Sequence, residues 1–346
     1  MKGSVGIVKT GFQFLIGAAV VVLGVILAIS FTNQRKIESL PAGWAILRAP
    51  GEVSSLLAND NEIWAGGRDG LTLIDRRTLA ILETPSEATG IRYIRALHRA
   101  SDESIWIAHS KGVTQYSDGD WRQLSSTEIG LNGPAYTVLS EPSGAVWIGG
   151  EGGLARGDGT SFARVTLPTN TALTAVSTLF RDSNGGLWVG SDSHTNGGLH
   201  SLDNGSDWQT YSVGSELQHA SVTGIVEDGN GTLWVATGFA GRGAVSLLHE
   251  GVWSKLERHI ELDNRKVRSV FEDQSGQIWL GYEYDGLSVY DGQTWFNISH
   301  TDGLAGEEVK AVLQDESGTY WIATPQGLSI IERDSWKIGE VFEAGQ

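Results

Sequence analysis

The chain of 346 residues has no cysteine, which removes disulfides, thiol nucleophiles and thiolate metal sites together. An oxidising compartment is compatible with this but is not required by it. Basic residues are scarce too: 25 Lys and Arg stand against 41 Asp and Glu, for a formal charge of −16. Nucleic acids and anionic lipid surfaces need a basic face, so neither is an expected partner. No Gly-rich phosphate loop of the strand-to-helix kind occurs, and none of the eight histidines falls in an HExxH pattern.

What is present is a beat. Trp64, Trp106, Trp147, Trp188, Trp234, Trp279 and Trp321 each open a strand-like segment, with Gly or Ala two residues on and a Gly-apolar pair soon after. Their spacings are 42, 41, 41, 46, 45 and 42 residues. A period in the forties, with short β-rich pieces between Gly and Asp turns, is the signature of a β-propeller blade. Seven beats predict an all-β, seven-bladed propeller of four-stranded antiparallel blades.

One repeat, from Val267, divides at its turns into strands A to D. Strand A runs to Glu272, Asp273 to Gly276 turns the chain, Trp279 lies on strand B, Leu287 to Tyr290 form strand C and Trp295 opens strand D. The first turn recurs as Asp182 to Gly185, Asp228 to Gly231 and Asp315 to Gly318, with Glu141 to Gly144 as a variant. Each turn offers one carboxylate where calcium wants about six to eight oxygens, so these read as hairpin turns. No metal site and no cofactor are expected. The tryptophans are expected to fill the gaps between blades.

Residues 12–31, FQFLIGAAVVVLGVILAISF, are apolar except for Gln13 and Ser30 and long enough to span a bilayer as a helix. Lys2 and Lys9 precede the run, and Arg35 and Lys36 follow it. With the α-amine, this slight bias predicts an N-inside orientation. Ala28 and Ser30 leave a cleaved signal peptide as the competing reading, against which the apolar run is long. Either way the propeller is exported. The expected organisation is a tail at 1–11, an anchor helix at 12–31, a linker at 32–43 and the propeller at 44–346, with no room for a second domain. Trp44 and Trp336 each open a further strand-like piece. The expected closure has the Trp44 strand completing blade seven and Trp336 added outside.

The segment from Thr301 places Gly303, Leu304, Val309, Asp315, Gly318, Trp321, Ile322, Gly327 and Leu328 on a pattern that resembles the repeat of two-component regulator propellers, bacterial sensor ectodomains. The resemblance extends over about residues 45 to 340. It is weakest at the front, where Asn59, Asp60 and Asn61 replace the Asp-x-x-Gly turn and Leu79 replaces the outer tryptophan. It implies an extracytoplasmic binding or sensing propeller. Signalling members of the family carry an output domain on the same chain, so output here would pass through a partner such as a membrane signalling protein.

In a propeller the B-to-C and D-to-A loops share one face. The B-to-C segments are lengthened in repeats four (Ser191 to Asn196), five (Thr237 to Arg242) and six (Tyr282 to Asp285). Neighbouring insertions cluster and often mark the binding side. They offer Asp192, His194, Asn196, Phe239, Arg242, Tyr282, Glu283 and Tyr284, aromatic platforms and hydrogen-bonding groups suited to a small ligand, glycan or peptide. The minimal loops add Arg68, Asp69, His109, Lys111, Glu151 and Gln326 around the same rim. No catalytic residue is assigned, although a propeller lyase or hydrolase would look to pairs such as His109 with Glu151. The third reading is a protein–protein scaffold of an exported complex.

Overall fold

The computed structural model describes residues 40–167, 173, 175–192, 197–203, 205, 207–256 and 265–335. The anchor helix expected at 12–31, His194, Asn196 and Trp336 lie outside them. Among the described residues no helix is long and apolar enough to cross a membrane.

Those residues form seven antiparallel sheets, six of four strands and one of three. The inner strands are Val53–Asn59, Ala96–Arg99, Ala135–Ser140, Val176–Arg181, Val222–Glu227, Val267–Glu272 and Ala311–Gln314. Each touches the inner strand of the next blade, and the last touches the first, so the sheets form a closed ring. The three-stranded sheet is blade one. There the outer strand shrinks to a bridge between Ile74 and Ile81. Leu79 sits at φ 60°, a left-handed backbone that breaks a strand.

Closure joins the two ends of the ring. Trp44–Leu47 pairs antiparallel with Gly327–Ile331, in the register Trp44 with Ile331 through Leu47 with Leu328, and becomes the fourth strand of blade seven. Such closure covers an edge that would otherwise be open to pairing with another chain.

The recurring features of the repeat each have a job. The glycine two residues after the tryptophan is where the next blade's inner strand presses in. A Cβ on Gly149 would lie 2.4 Å from Val176 Cγ1, one on Gly66 2.4 Å from Ile94 Cγ2, and one on Gly281 2.8 Å from Val309 Cγ1. The tryptophans fill the gaps between blades as expected. Trp64, for example, packs with Ile94, Leu97 and Ile107 of blade two and stacks on Trp121 at 5.8 Å.

The turn aspartates are consumed by the fold. In blade six Asp273 Oδ1 accepts the backbone N–H groups of Ser275 and Gln277 at 2.8 and 2.9 Å, while Oδ2 accepts the Trp279 indole N–H at 3.0 Å. Asp182 with Trp188, Asp228 with Trp234 and Asp315 with Trp321 repeat the pairing at 2.7, 2.8 and 3.0 Å, and Glu141 does the same for Trp147 at 2.6 Å. A carboxylate that ties a turn to the indole six residues on explains the Asp-x-x-Gly and Trp spacing without any ion.

Candidate functional site

The residues at or two positions before the start of the inner strands, Val53, Ile94, Ala135, Val176, Val222, Val267 and Val309, are all at most 2% exposed. They lie between blades. In five blades the next residue, Ser54, Tyr136, Ser177, Thr223 or Arg268, is skipped by the strand ladder at a β-bulge, which re-aims its side chain toward the ring axis. Ser54, Arg95, Tyr136, Ser177, Thr223, Arg268 and Lys310 line one central cavity of about 440 Å³. Glu52, Arg68, Tyr93, Ile94, Ala175 and Asp192 complete its wall. A cavity of this size suits a small ligand.

This funnel has two unlike sides. Around blades six, seven and one the charges are paired. Arg268 lies 2.7 Å from both Glu283 and Glu308, Lys310 is 3.5 Å from Glu52 and 3.9 Å from Glu308, and Glu52 also meets Arg68 at 3.4 Å. Around blades three to five the wall is hydroxyl and phenol apart from one carboxylate, Asp192, which accepts from the Ser221 hydroxyl. Ser177 and Thr223 donate their hydroxyls to the Val222 and Val267 carbonyls of the next blades at 2.7 and 2.5 Å, which leaves the hydroxyl oxygens free to act only as acceptors. Burial raises the pKa of the Tyr136 phenol, and Glu151 adds to the rise while Arg95 opposes it. Two rim residues, Glu52 and Tyr93, hold φ values of 55° and 53°. For a tyrosine that backbone is strained, and such strain gathers at functional sites.

Of the residues singled out from the sequence, Arg68 and Asp192 line the funnel. Phe239 and Tyr284 are exposed, at 43% and 66%, on the adjoining tips of blades five and six. Arg242, Lys111 and Glu151 are also exposed or nearly so. Asp69 and Gln326 are exposed as well, whereas Tyr282, Glu283 and His109 are turned inward. Tyr282, expected as an aromatic platform, is 1% exposed and packs with Trp234, Val245 and Val267 between blades. It is the last residue of strand B, paired with Val267, so it falls on the core side of the ladder rather than in the loop.

Glu283 is likewise an internal tie. It is buried, and it accepts from the Gly241 backbone N–H at 3.1 Å, Lys266 Nζ at 3.3 Å and Arg268 at 2.7 Å. His109 is buried against the Thr114 hydroxyl at 3.0 Å, and no hydrogen bond joins it to Glu151. Burial lowers its pKa to about 4, with Lys111 contributing. The blade-five insertion is not a loop either. Strands B and C simply run on until Phe239 faces Arg242. The turn between them, Ala240 and Gly241, has φ values of 49° and 76°, as a tight primed turn requires.

Sequence reasoning missed the funnel ring itself. The signal was a position, the residue after the buried aliphatic at the start of each strand A, and not a residue type.

Comparison with known proteins places this geometry. Residues 172–193 and 216–239, at the A and B strands of blades four and five, match the two component regulator propeller family and are repeats of that kind. No curated protein matches the chain. Among solved structures, the extracellular domain assigned to the hybrid two component system BT3049 of B. thetaiotaomicron has a TM-score of 0.71 at 17% identity, over 85% of this chain and 41% of that one. PorZ, a surface component of the type-IX secretion system of Porphyromonas gingivalis, gives 0.65 at 14% identity, over 87% of this chain and 49% of that one. Virginiamycin B lyase from Staphylococcus aureus, solved with Quinupristin, gives 0.65 at 13% identity, over 84% and 98%. The chain thus spans half or less of the length of the first two. These likenesses establish the fold, which sensor, secretion and lyase proteins share.

Proposed function

We propose that this chain is an extracytoplasmic ligand-binding propeller, held at the membrane by its apolar amino-terminal segment, whose site is the central funnel and whose output passes through another chain. The observation that carries the reading is the funnel wall. It combines charged, phenolic and hydroxyl groups around a cavity of about 440 Å³, with strained residues at its rim. Repeats of the two component regulator propeller kind support a sensing role, and the fold is shared with an extracellular sensor domain. The wall supplies hydrogen-bonding and charged groups for recognition. Its histidine-free composition gives a hydrolytic or lyase reading no general base of ordinary imidazole type among the described residues.

The test is a thermal-shift screen of the full-length chain against glycans, cell-wall fragments, amino acids and peptides, run beside a Ser54→Trp variant that fills the funnel. A ligand that binds only the folded state stabilises it by about 3 kcal/mol at a hundred times its Kd. The expected result is a shift in the parent protein that Ser54→Trp loses. A shift that survives Ser54→Trp places binding elsewhere, and no shift across the screen favours a protein partner.

A further inference from the structure

Three cations occupy equivalent positions on the funnel ring, and they differ in what surrounds them. Arg268 and Lys310 are held by carboxylates of the wall and the tier around it, at 2.7 to 3.9 Å. Arg95 has no carboxylate partner and donates no side-chain hydrogen bond among the described residues. Its guanidinium carbon lies 5.7 Å from the centre of the Tyr136 ring. A guanidinium held on an aromatic face keeps its N–H donors for a planar anion, and carboxylate is the group whose geometry matches that fork.

The surroundings extend the match. Past Tyr136 the wall carries one carboxylate, Asp192, and both Asp192 and Glu151 act on the Tyr136 phenol. Ser177 and Thr223 line the cavity too, with their hydroxyl protons already given to backbone carbonyls. A molecule seated here would meet a donor fork at one end and acceptors at the other. An apolar occupant would leave both unmet, and burying unmet polar groups costs about 1 to 3 kcal/mol each.

Building on the funnel reading, we infer that the funnel takes a small carboxylate-bearing molecule whose carboxylate sits on Arg95 and whose hydroxyl or ammonium donors face Asp192. Sugar acids and α-amino acids share this chemistry. Tyr93, half exposed and at φ 53°, lines the same cavity.

The experiment is isothermal titration of the full-length chain with galacturonate against galactose, and with L-alanine against alaninamide, each at low and raised salt. One carboxylate binds, its neutral counterpart binds at least about tenfold more weakly, and raised salt weakens the carboxylate alone. The arm that binds identifies the source. Arg95→Ala loses about tenfold or more in affinity with an unchanged melting temperature, since it breaks no ion pair, and Arg95→Lys recovers part of the loss. Equal binding of acid and neutral counterpart, wild-type affinity in Arg95→Ala, or no carboxylate binding at about 10 mM overturns the inference. A ligand that ignores Arg95 but is lost in Ser54→Trp overturns this assignment alone and leaves the funnel reading standing.

Discussion

Asp273 and Tyr320 join blades six and seven: the phenol O–H donates to Asp273 Oδ2 at 2.8 Å, and this oxygen already accepts the Trp279 indole N–H at 3.0 Å. The two rings stack with centroids 4.4 Å apart. Burial, and then the bond to Asp273, raise the pKa of the Tyr320 phenol well above its ordinary value. A turn motif that looks purely local therefore also fastens one blade to the next.

Removing either partner should be costly by different amounts. Tyr320→Phe loses one hydrogen bond and should destabilise by about 1 to 2 kcal/mol. Asp273→Ala leaves two buried donors and two turn N–H groups unmet and should cost about 3 kcal/mol or more. Urea unfolding measures both. Equal, small effects would show that the carboxylate does not couple the blades.

Gly149→Ala inserts a methyl 2.4 Å from Val176 Cγ1 and 2.7 Å from Thr137 Cγ2. Both neighbours are branched side chains with little freedom to move, so overpacking should cost about 1 to 3 kcal/mol. Gly144→Ala, at a turn with nothing within 4 Å but φ 87°, separates backbone strain from crowding. Unfolding midpoints of the two variants decide which matters more.

Stability should fall between pH 6.5 and 4. Burial lowers the pKa of His98, His109 and His200 from 6.5 to about 4. His98 Nε2 accepts the Ser140 backbone N–H at 3.0 Å, a bond only the unprotonated nitrogen can receive. In this window the unfolded chain binds more protons than the folded one, so the stabilisation is complete above the unfolded pKa and is lost toward the folded one. The limit is about 3 kcal/mol per histidine. Carboxyls held low, such as Asp158 by the Ser161 N–H, titrate below it. Melting temperatures at pH 7, 6 and 5 check this, and His200→Gln should flatten the curve.

Glu283→Gln should destabilise by about 3 kcal/mol, because Lys266 and Arg268 lose a shared buried partner. Thermal unfolding reads the loss. Tyr282→Ala should also unfold the protein readily, by about 3 to 5 kcal/mol, as a core truncation does. A neutral outcome for Tyr282 would return it to the binding surface.

Proline placed in turn at Ala45 and Ile46 tests ring closure. Alternate residues of an outer strand aim their N–H groups at the neighbour, so one of the two substitutions should cost about 2 kcal/mol more than the other. The costlier variant should also self-associate through the freed edge, seen by size-exclusion chromatography. Two equal, negligible effects would mean that the early strand adds nothing to blade seven.

Much of the fold was legible because its pieces are periodic and local. Trp, the Gly or Ala two residues on, and the turn aspartate recur with fixed spacing, and each acts within one blade or on the next. The site was less legible. Tyr282 reads as loop from its neighbours, yet the ladder reaches one residue further and carries it into the core. The blade-five insertion reads as a loop until Ala240 and Gly241 are seen to close a longer hairpin. The funnel ring has no motif, since Ser, Arg, Tyr, Thr and Lys share only their place after a buried aliphatic residue.

Read alone, the chain dictates seven blades, their turns and the gap-filling tryptophans, because hydrophobic period and turn chemistry are properties of neighbours in sequence. The charge state of the funnel is not. Arg95 and Arg268 are the same residue type at equivalent positions of their repeats, and the motif the repeats share does not distinguish them. The folded ring does so, by bringing Glu283 of the same blade and Glu308 of the next within 2.7 Å of Arg268 while Arg95 meets the Tyr136 ring of the next blade instead. Ion pairing falls off over a few ångströms and here joins residues that are distant in sequence or lie across a strand turn, so it is decided by the tertiary structure.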